Sequence, residues 1–317
     1  MLFIRQVKHL TMALKTSTQE LADVLDNQGD YVERLQIRSS GKIRQVVNVT
    51  GTLRKYQKLL YHNVLLPKLR PSKYSHGGIR GRSIMTNVAP HIGQRYLFST
   101  DIASFYPSIH HTMVYKLFLS TLHCSPDVAR LCTKLTTFGH HLALGLITSP
   151  ILANQLLEAS DVRIASLCEK NRLTYTRFVD DISISAPFDL GKSGFAKLVE
   201  RIFNQAGFRL NPKKHVFGKI ADGVAITKLR IVEGHPDVAI KYLRHVWREL
   251  LSAEKLSKGE PACGGFLTRS QMIGKIQFIA WVNPRRKKMF VRKFRSIDWI
   301  KHEEEAVRQG IVTKLTT

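Results

Sequence analysis

The feature that most limits what this chain can become is a set of carboxylates inside segments that otherwise read as buried β-strand. Asp101 closes the apolar run in YLFSTDIASFYPSI, and Asp180 and Asp181 interrupt the alternating run YTRFVDDISIS. An ionised carboxylate in such a place is costly unless a positive partner or hydrogen bonds offset it. An Asp-Asp pair taken alone reads as a turn, which aspartate favours. A second acidic site at the end of its own apolar strand calls for a shared explanation. Carboxylates from two strands meeting at one turn make a hard oxygen set suited to two Mg²⁺ ions, with Mn²⁺ as a possible substitute.

Charge narrows the class of partner. The 317 residues carry 49 Lys+Arg against 24 Asp+Glu, a net charge of +25, and 44% are apolar, enough for a real core. An excess of that size implies a polyanion, since each phosphate neutralised releases a condensed counterion. Paired carboxylates on a basic protein then suggest phosphoryl transfer, one cation activating a hydroxyl and the other stabilising a leaving pyrophosphate. Cys124, Cys132, Cys168 and Cys263 lack CxxC spacing and form no disulfide framework. No apolar run approaches the ~18 residues of a membrane span. The expectation is a reduced, cytoplasmic protein with no membrane partner.

Ser17 and Glu20 stand in capping-box spacing and open a helix over 17–26. Residues 31–49 alternate as two strands turning at Ser39-Ser40-Gly41. A helix over 53–66 is expected to stop at Pro67, and the glycine-rich basic stretch 73–83 to form a loop able to approach phosphates. Strand 96–102 ends on the first acidic site. Helices are expected over 113–132, 147–166 and 195–207, a hairpin over 173–185, a strand over 208–217 and a basic helical region from 238 onward.

Asp101-Ile102-Ala103-Ser104-Phe105-Tyr106-Pro107-Ser108-Ile109 and Phe178-Val179-Asp180-Asp181 resemble the two metal-binding motifs of reverse transcriptases, above all the bacterial retron-type and phage-defence group. Further words follow in family order. Gly41-Lys42-Ile43-Arg44 and Leu53–Gln57 are similar to the fingers signature and its helix. His76-Gly77-Gly78-Ile79-Arg80-Gly81-Arg82-Ser83-Ile84 and Asn87-Val88-Ala89-Pro90-His91 resemble the loop and the Asn-Ala-x-x-His signature of retron enzymes. Gly274–Ile279 through Val282-Asn283-Pro284 resembles a thumb helix.

The resemblance implies an α+β right-hand polymerase with an antiparallel palm sheet. N-terminal helices and fingers would span 1–95, the palm 96–235 with a helical insertion about 113–147, and a basic helical thumb 236–317. It implies that Asp101, Asp180 and Asp181 are catalytic metal ligands, joined by the Ile102 carbonyl. Lys42, Arg44, Tyr106, Gly145 and Lys214 would meet the nucleotide, Tyr106 as a steric gate for dNTPs. Arg80, Arg82, Lys241, Arg244, Lys275, Arg285 and Arg286 would contact nucleic acid, with the aromatics among the C-terminal charges mostly core. The implied function is RNA-directed DNA synthesis on a structured non-coding RNA in anti-phage defence, with the cDNA product and an effector protein as partners.

Three departures keep alternatives open. Leu144-Gly145 stands where the family has Gln-Gly, Ile226-Thr227-Lys228 where retron enzymes carry Val-Thr-Gly, and Val88 where the signature has alanine. An untemplated or protein-primed DNA polymerase and a catalytically inactive RNA-binding scaffold are the rival readings.

Overall fold

The computed structural model describes residues 4–39, 42–261 and 265–312. Ser40, Gly41 and Cys263 lie outside the described residues, and Lys42 is described by its backbone alone. Two compact units are present, one of Met1–Asn87 with Tyr96–Gly218, the other of Val88–Arg95 with Lys219–Thr317.

In the first unit, the segment 31–49 forms the antiparallel hairpin β1 (Val32–Ser39) and β2 (Lys42–Val49). A four-stranded sheet follows, ordered β4 (Thr174–Phe178), β5 (Asp181–Ala186), β3 (Tyr96–Asp101), β6 (Val216–Lys219), with β5 antiparallel to both β3 and β4. Ile182–Ala186 of β5 is buried at every position, the pattern of a strand covered on both faces. The helix Glu158–Lys170 lies against β4, and the helix Phe195–Gln205 packs on it in turn.

The capping box at Ser17 and Glu20 forms as read, opening the helix Thr18–Asp26. Elsewhere local chemistry redrew the boundaries. The helix expected to stop at Pro67 runs on as Gly51–Leu60, a π-helical segment Tyr61–Leu65 and Leu66–Lys68. The π segment ends with the Leu66 N–H bonded to the Tyr61 carbonyl, so Pro67 falls in a first turn, where no N–H is required. The single helix expected over 113–132 is two, His111–Ser120 and Pro126–Thr136, because Ser125 caps the second and Pro126 starts it. That over 147–166 divides at Leu157 into Ser149–Leu156 and Glu158–Lys170. The strand expected over 208–217 is confined to β6, since Asn211 caps a 3₁₀ turn over Pro212–Lys214.

The second unit holds a hairpin that the sequence analysis did not anticipate, β7 (Leu229–Val232) and β8 (His235–Val238). Glu233 and Gly234 both have positive φ in its two-residue turn, the geometry that matches strand twist. Among the described residues four helices follow: Ile240–Ser257, Arg269–Val282, Pro284–Arg295 and Trp299–Arg308. Leu243, Val246, Leu250 and Ala253 recur at helical spacing on the buried face of the first. Asp237 is buried, held by Arg230 and Arg286, each at 2.8 Å. Among the described residues no helix is long and apolar enough to cross a membrane.

Candidate active site

Strand register brings the acidic residues together. Asp101 and Asp181 are Cα partners at the end of the β3–β5 ladder, and the Ile102 N–H donates to the Asp180 carbonyl at 3.0 Å. Val179 and Asp180 form the turn between β4 and β5. Val179 adopts φ +60°, a left-handed conformation that a β-branched residue rarely takes.

Asp101 is 5% exposed. Its Oδ2 meets Nζ of Lys214, while Oδ1 is buried and has no hydrogen-bond partner. Burial holds the Asp180 carboxyl above the usual carboxylate range, and the negative charge of Asp101 adds to this. Lys214 and Arg44 pull it back down. Negative charge is therefore concentrated here beyond what the surrounding side chains offset. An orphaned carboxylate oxygen beside a burdened carboxylate suits a hard cation, so the residues fit Mg²⁺ or Mn²⁺ in kind. Among the described residues no three acidic, histidine or cysteine side chains are already gathered around one point. Lys214 supplies the positive charge at Asp101 instead.

The other expected nucleotide contacts divide. Tyr106 is half-buried beside Phe105, with ring centroids 5.1 Å apart. Its hydroxyl is pushed up to about 12, by burial first and by the charge of Asp180 second, which places the ring within electrostatic reach of the acidic turn. Arg44 lies on β2, close enough for Asp180 to feel its charge. Gly145 has φ +111°, and a Cβ there would fall 1.9 Å from the carbonyl oxygen of Val47. Only glycine lets this loop dock on β2, where the Val47 N–H donates to the Leu144 carbonyl at 2.8 Å. The Leu144 side chain is exposed.

The expected nucleic-acid contacts divide as well. Arg80 is exposed, whereas Arg82 turns back to donate to the carbonyls of Ser72 (2.7 Å), Lys73 (3.3 Å) and Ser75, pinning its own loop. Lys241 and Arg244 are exposed along the helix Ile240–Ser257. Lys275 pairs with Glu249 at 2.5 Å and Arg286 with buried Asp237, so both are engaged within their unit. Arg285 is exposed and, with Lys288 and Arg292, rings a pocket containing Trp247 and Met289. Of the aromatics expected in the core, Phe290 is buried and Trp281 is exposed.

Arg177 was not among the expected site residues. It lies in the same strand word as the aspartates and was announced by the same signal, a charge at an inward position of β4.

The sequence comparisons agree with this arrangement. The chain is 27% identical over 262 residues to the Retron Se72 reverse transcriptase of Salmonella heidelberg (strain 579083-10), covering 78% of this chain and 69% of that protein. It is 29% identical over 201 residues to the Retron Mx65 reverse transcriptase of Myxococcus xanthus, covering 58% and 47%. It is 31% identical over 145 residues to the Retron Ec86 reverse transcriptase of Escherichia coli, covering 46% and 45%. The last two alignments take in less than half of those relatives' own length. Residues 33–245 match the family described as "Reverse transcriptase (RNA-dependent DNA polymerase)", a span that holds both acidic strands and their turn, and the chain belongs to that family.

Proposed function

We propose that this chain is an RNA-directed DNA polymerase, as the words "reverse transcriptase" in its relatives' names suggest, and that it copies a structured non-coding RNA into cDNA from dNTPs. The observation that carries the reading is the register that sets Asp101 opposite Asp181, with an Asp101 oxygen buried and unpartnered. Asp101, Asp180 and Asp181, with the Ile102 carbonyl, would hold two Mg²⁺ ions, or Mn²⁺ in their place, which supply Lewis-acid stabilisation of phosphoryl transfer when bound.

The chain's own residues would do the rest. Arg44, with Lys42 beside it, would meet the triphosphate from the hairpin. Gly145 would let the backbone close over the nucleotide. Tyr106 would crowd the ribose 2′ position. Lys214, already at Asp101, would stand ready to give a proton to departing pyrophosphate. In this reading the architecture is a right hand, with fingers over 1–95, palm over 96–235 and a helical insertion about 113–147, and thumb over 236–317. Lys241, Arg244 and Arg285 would grip backbone phosphates without reading sequence, supported by Arg80. Arg82, Lys275 and Arg286 would serve that grip by shaping the surfaces they sit in. The resemblance further suggests anti-phage defence with an effector protein.

Primer extension on RNA with Asp180→Asn and Asp181→Asn tests the proposal. Loss of dNTP incorporation with RNA binding retained supports it, and full incorporation by either variant contradicts it. A second reading, untemplated synthesis, is favoured by the exposed apolar side chain of Leu144 in place of an amide. Single dNTPs supplied with and without RNA separate the two. Sequencing the nucleic acid that co-purifies with the protein identifies the template.

A further inference from the structure

Arg177 lies two residues before the Val179–Asp180 turn and is buried completely, as is Asp161 on the helix Glu158–Lys170. Its Nε donates to Asp161 Oδ1 at 2.8 Å and its Nη2 to Asp161 Oδ2 at 2.7 Å, a two-point pair. Its Nη1 donates to Asn154 Oδ1 at 3.1 Å and to the Val179 carbonyl at 2.6 Å. The anchors are themselves held. The Tyr175 hydroxyl donates to Asp161 Oδ1 at 2.7 Å, and the Ser75 hydroxyl donates to Asn154 Oδ1 at 2.9 Å.

A cover closes the turn from the other side. The His76 N–H donates to the Arg177 carbonyl at 2.7 Å and the Arg177 N–H to the Tyr74 carbonyl at 2.9 Å, so this segment runs beside β4. Asn154 Nδ2 donates to the Gly77 carbonyl at 2.9 Å. A Cβ at Gly77 would lie 2.4 Å from both the nitrogen and Cγ2 of Val179, so the cover sits against the strained residue itself.

A left-handed valine persists only where its surroundings over-determine it. A buried ion pair is a weak source of stability, since desolvation consumes much of its attraction. What this pair does supply is direction, because the planar guanidinium meets both Asp161 oxygens while also reaching the Asn154 amide oxygen and the Val179 carbonyl, four contacts that the three N–H donors of a lysine ammonium cannot make at once. We propose that Arg177 is the positioning residue of the active site. Anchored on Asp161 and Asn154, it holds the Val179 carbonyl and fixes the strained turn that presents Asp180 beside Asp101. The inference rests on the reading of Asp180 as a catalytic residue.

The test uses the full chain with its RNA and compares Arg177→Lys with the charge-neutral pair Arg177→Met/Asp161→Leu, which avoids stranding a buried charge. In either variant, RNA binding and the dNTP KM should stay within about 3-fold, while kcat should fall about 100-fold, the scale of an ångström-sized misplacement. Amide hydrogen exchange should accelerate at 178–183 and at Ile102, whose N–H is bonded to the Asp180 carbonyl, with the melting of the rest retained. Adding Val179→Gly to Arg177→Lys, so that the turn no longer needs forcing, should restore about 10-fold of kcat. A purely structural role predicts no such rescue. Unchanged kcat and unchanged exchange in a folded variant overturn the proposal, as does global loosening that Val179→Gly fails to relieve. Should wild type and Asp180→Asn prove equally inactive, the polymerase reading falls, and the exchange at 178–183 alone decides the positioning claim.

Discussion

Nζ of Lys214 rests on Oδ2 of Asp101 and leaves Oδ1 of the same carboxylate buried without a hydrogen-bond partner. One half of the carboxylate is neutralised by a side chain that is 47% exposed and can move away. The other half has no such partner. The lysine and a bound cation should therefore compete for Asp101. Lys214→Met should lower stability by about 1 kcal/mol in chelator, given the exposure of the lysine. It should also lower the Mg²⁺ concentration needed for half-maximal thermal stabilisation, as linkage requires. Melting curves across a Mg²⁺ titration check both effects.

Asp180 bears charge at a cost. Burial raises its pKa and Asp101 raises it further, so the fold loses stability as the pH climbs from the ordinary carboxylate value, and the loss is complete above the raised one. Asp180→Asn should raise metal-free stability at pH 7 while abolishing polymerisation, a trade of activity for stability. Denaturant midpoints in chelator, set beside primer extension, measure the pair.

His76 contributes a pH dependence of the opposite sign. Burial foremost, then the charge of Arg82, depresses its pKa from 6.5 to about 4. The unfolded chain therefore binds a proton between these values and the folded chain does not. The stabilisation is full above about pH 6.5 and is lost as the pH falls toward 4. His76→Gln should flatten the stability slope between pH 7 and 4.5, which denaturation at several pH values records.

Tyr106 is expected to exclude ribonucleotides. Tyr106→Val should raise the kcat/KM for NTPs relative to dNTPs by about 10–200-fold, the range expected when a pocket wall is cut back. Single-nucleotide incorporation with matched dNTP and NTP reads the ratio. No change would remove the gate assignment and leave the aspartates untouched.

The basic residues of the second unit should separate by their partners. Arg285→Ala and Lys241→Ala should each reduce the log–log salt slope of duplex binding by about 0.9 and leave stability unchanged. Arg286→Ala exposes one side of buried Asp237 and should lower the melting temperature instead. Binding titrations from low to high salt, with melts of the same proteins, distinguish the two classes.

Much of this was legible in the chain, for identifiable reasons. The aspartates stood out because charge inside an apolar strand has few explanations; an apolar run marked β3, and period-2 alternation marked the β4–β5 hairpin. The capping box at Ser17 and Glu20 was legible because a side chain three residues away is a local fact. What escaped depended on partners far along the sequence. Arg177 carried a charge in a strand as the aspartates did, but its role stays hidden until Asp161, Asn154 and Gly77 are brought to it. Arg286 and Lys275 read as free cations until Asp237 and Glu249 claim them. The break before the helix Pro126–Thr136 was missed, although Ser125 followed by Pro126 is a local cap signal. The β7–β8 hairpin was hidden because Glu-Gly is a weaker turn signal than Asn-Gly or Asp-Gly.

Local cleavage chemistry reads whether residues 101 and 180–181 hold a cation between them. Fe²⁺ replaces Mg²⁺ in the folded chain, ascorbate and peroxide are added, and the cut sites are mapped by mass spectrometry. Cleavage should cluster near Asp101 and near Asp180–Asp181, fade as Mg²⁺ is added, and vanish in Asp101→Asn. Cuts confined to one of the two segments, or unaffected by Mg²⁺ and by that substitution, would contradict it.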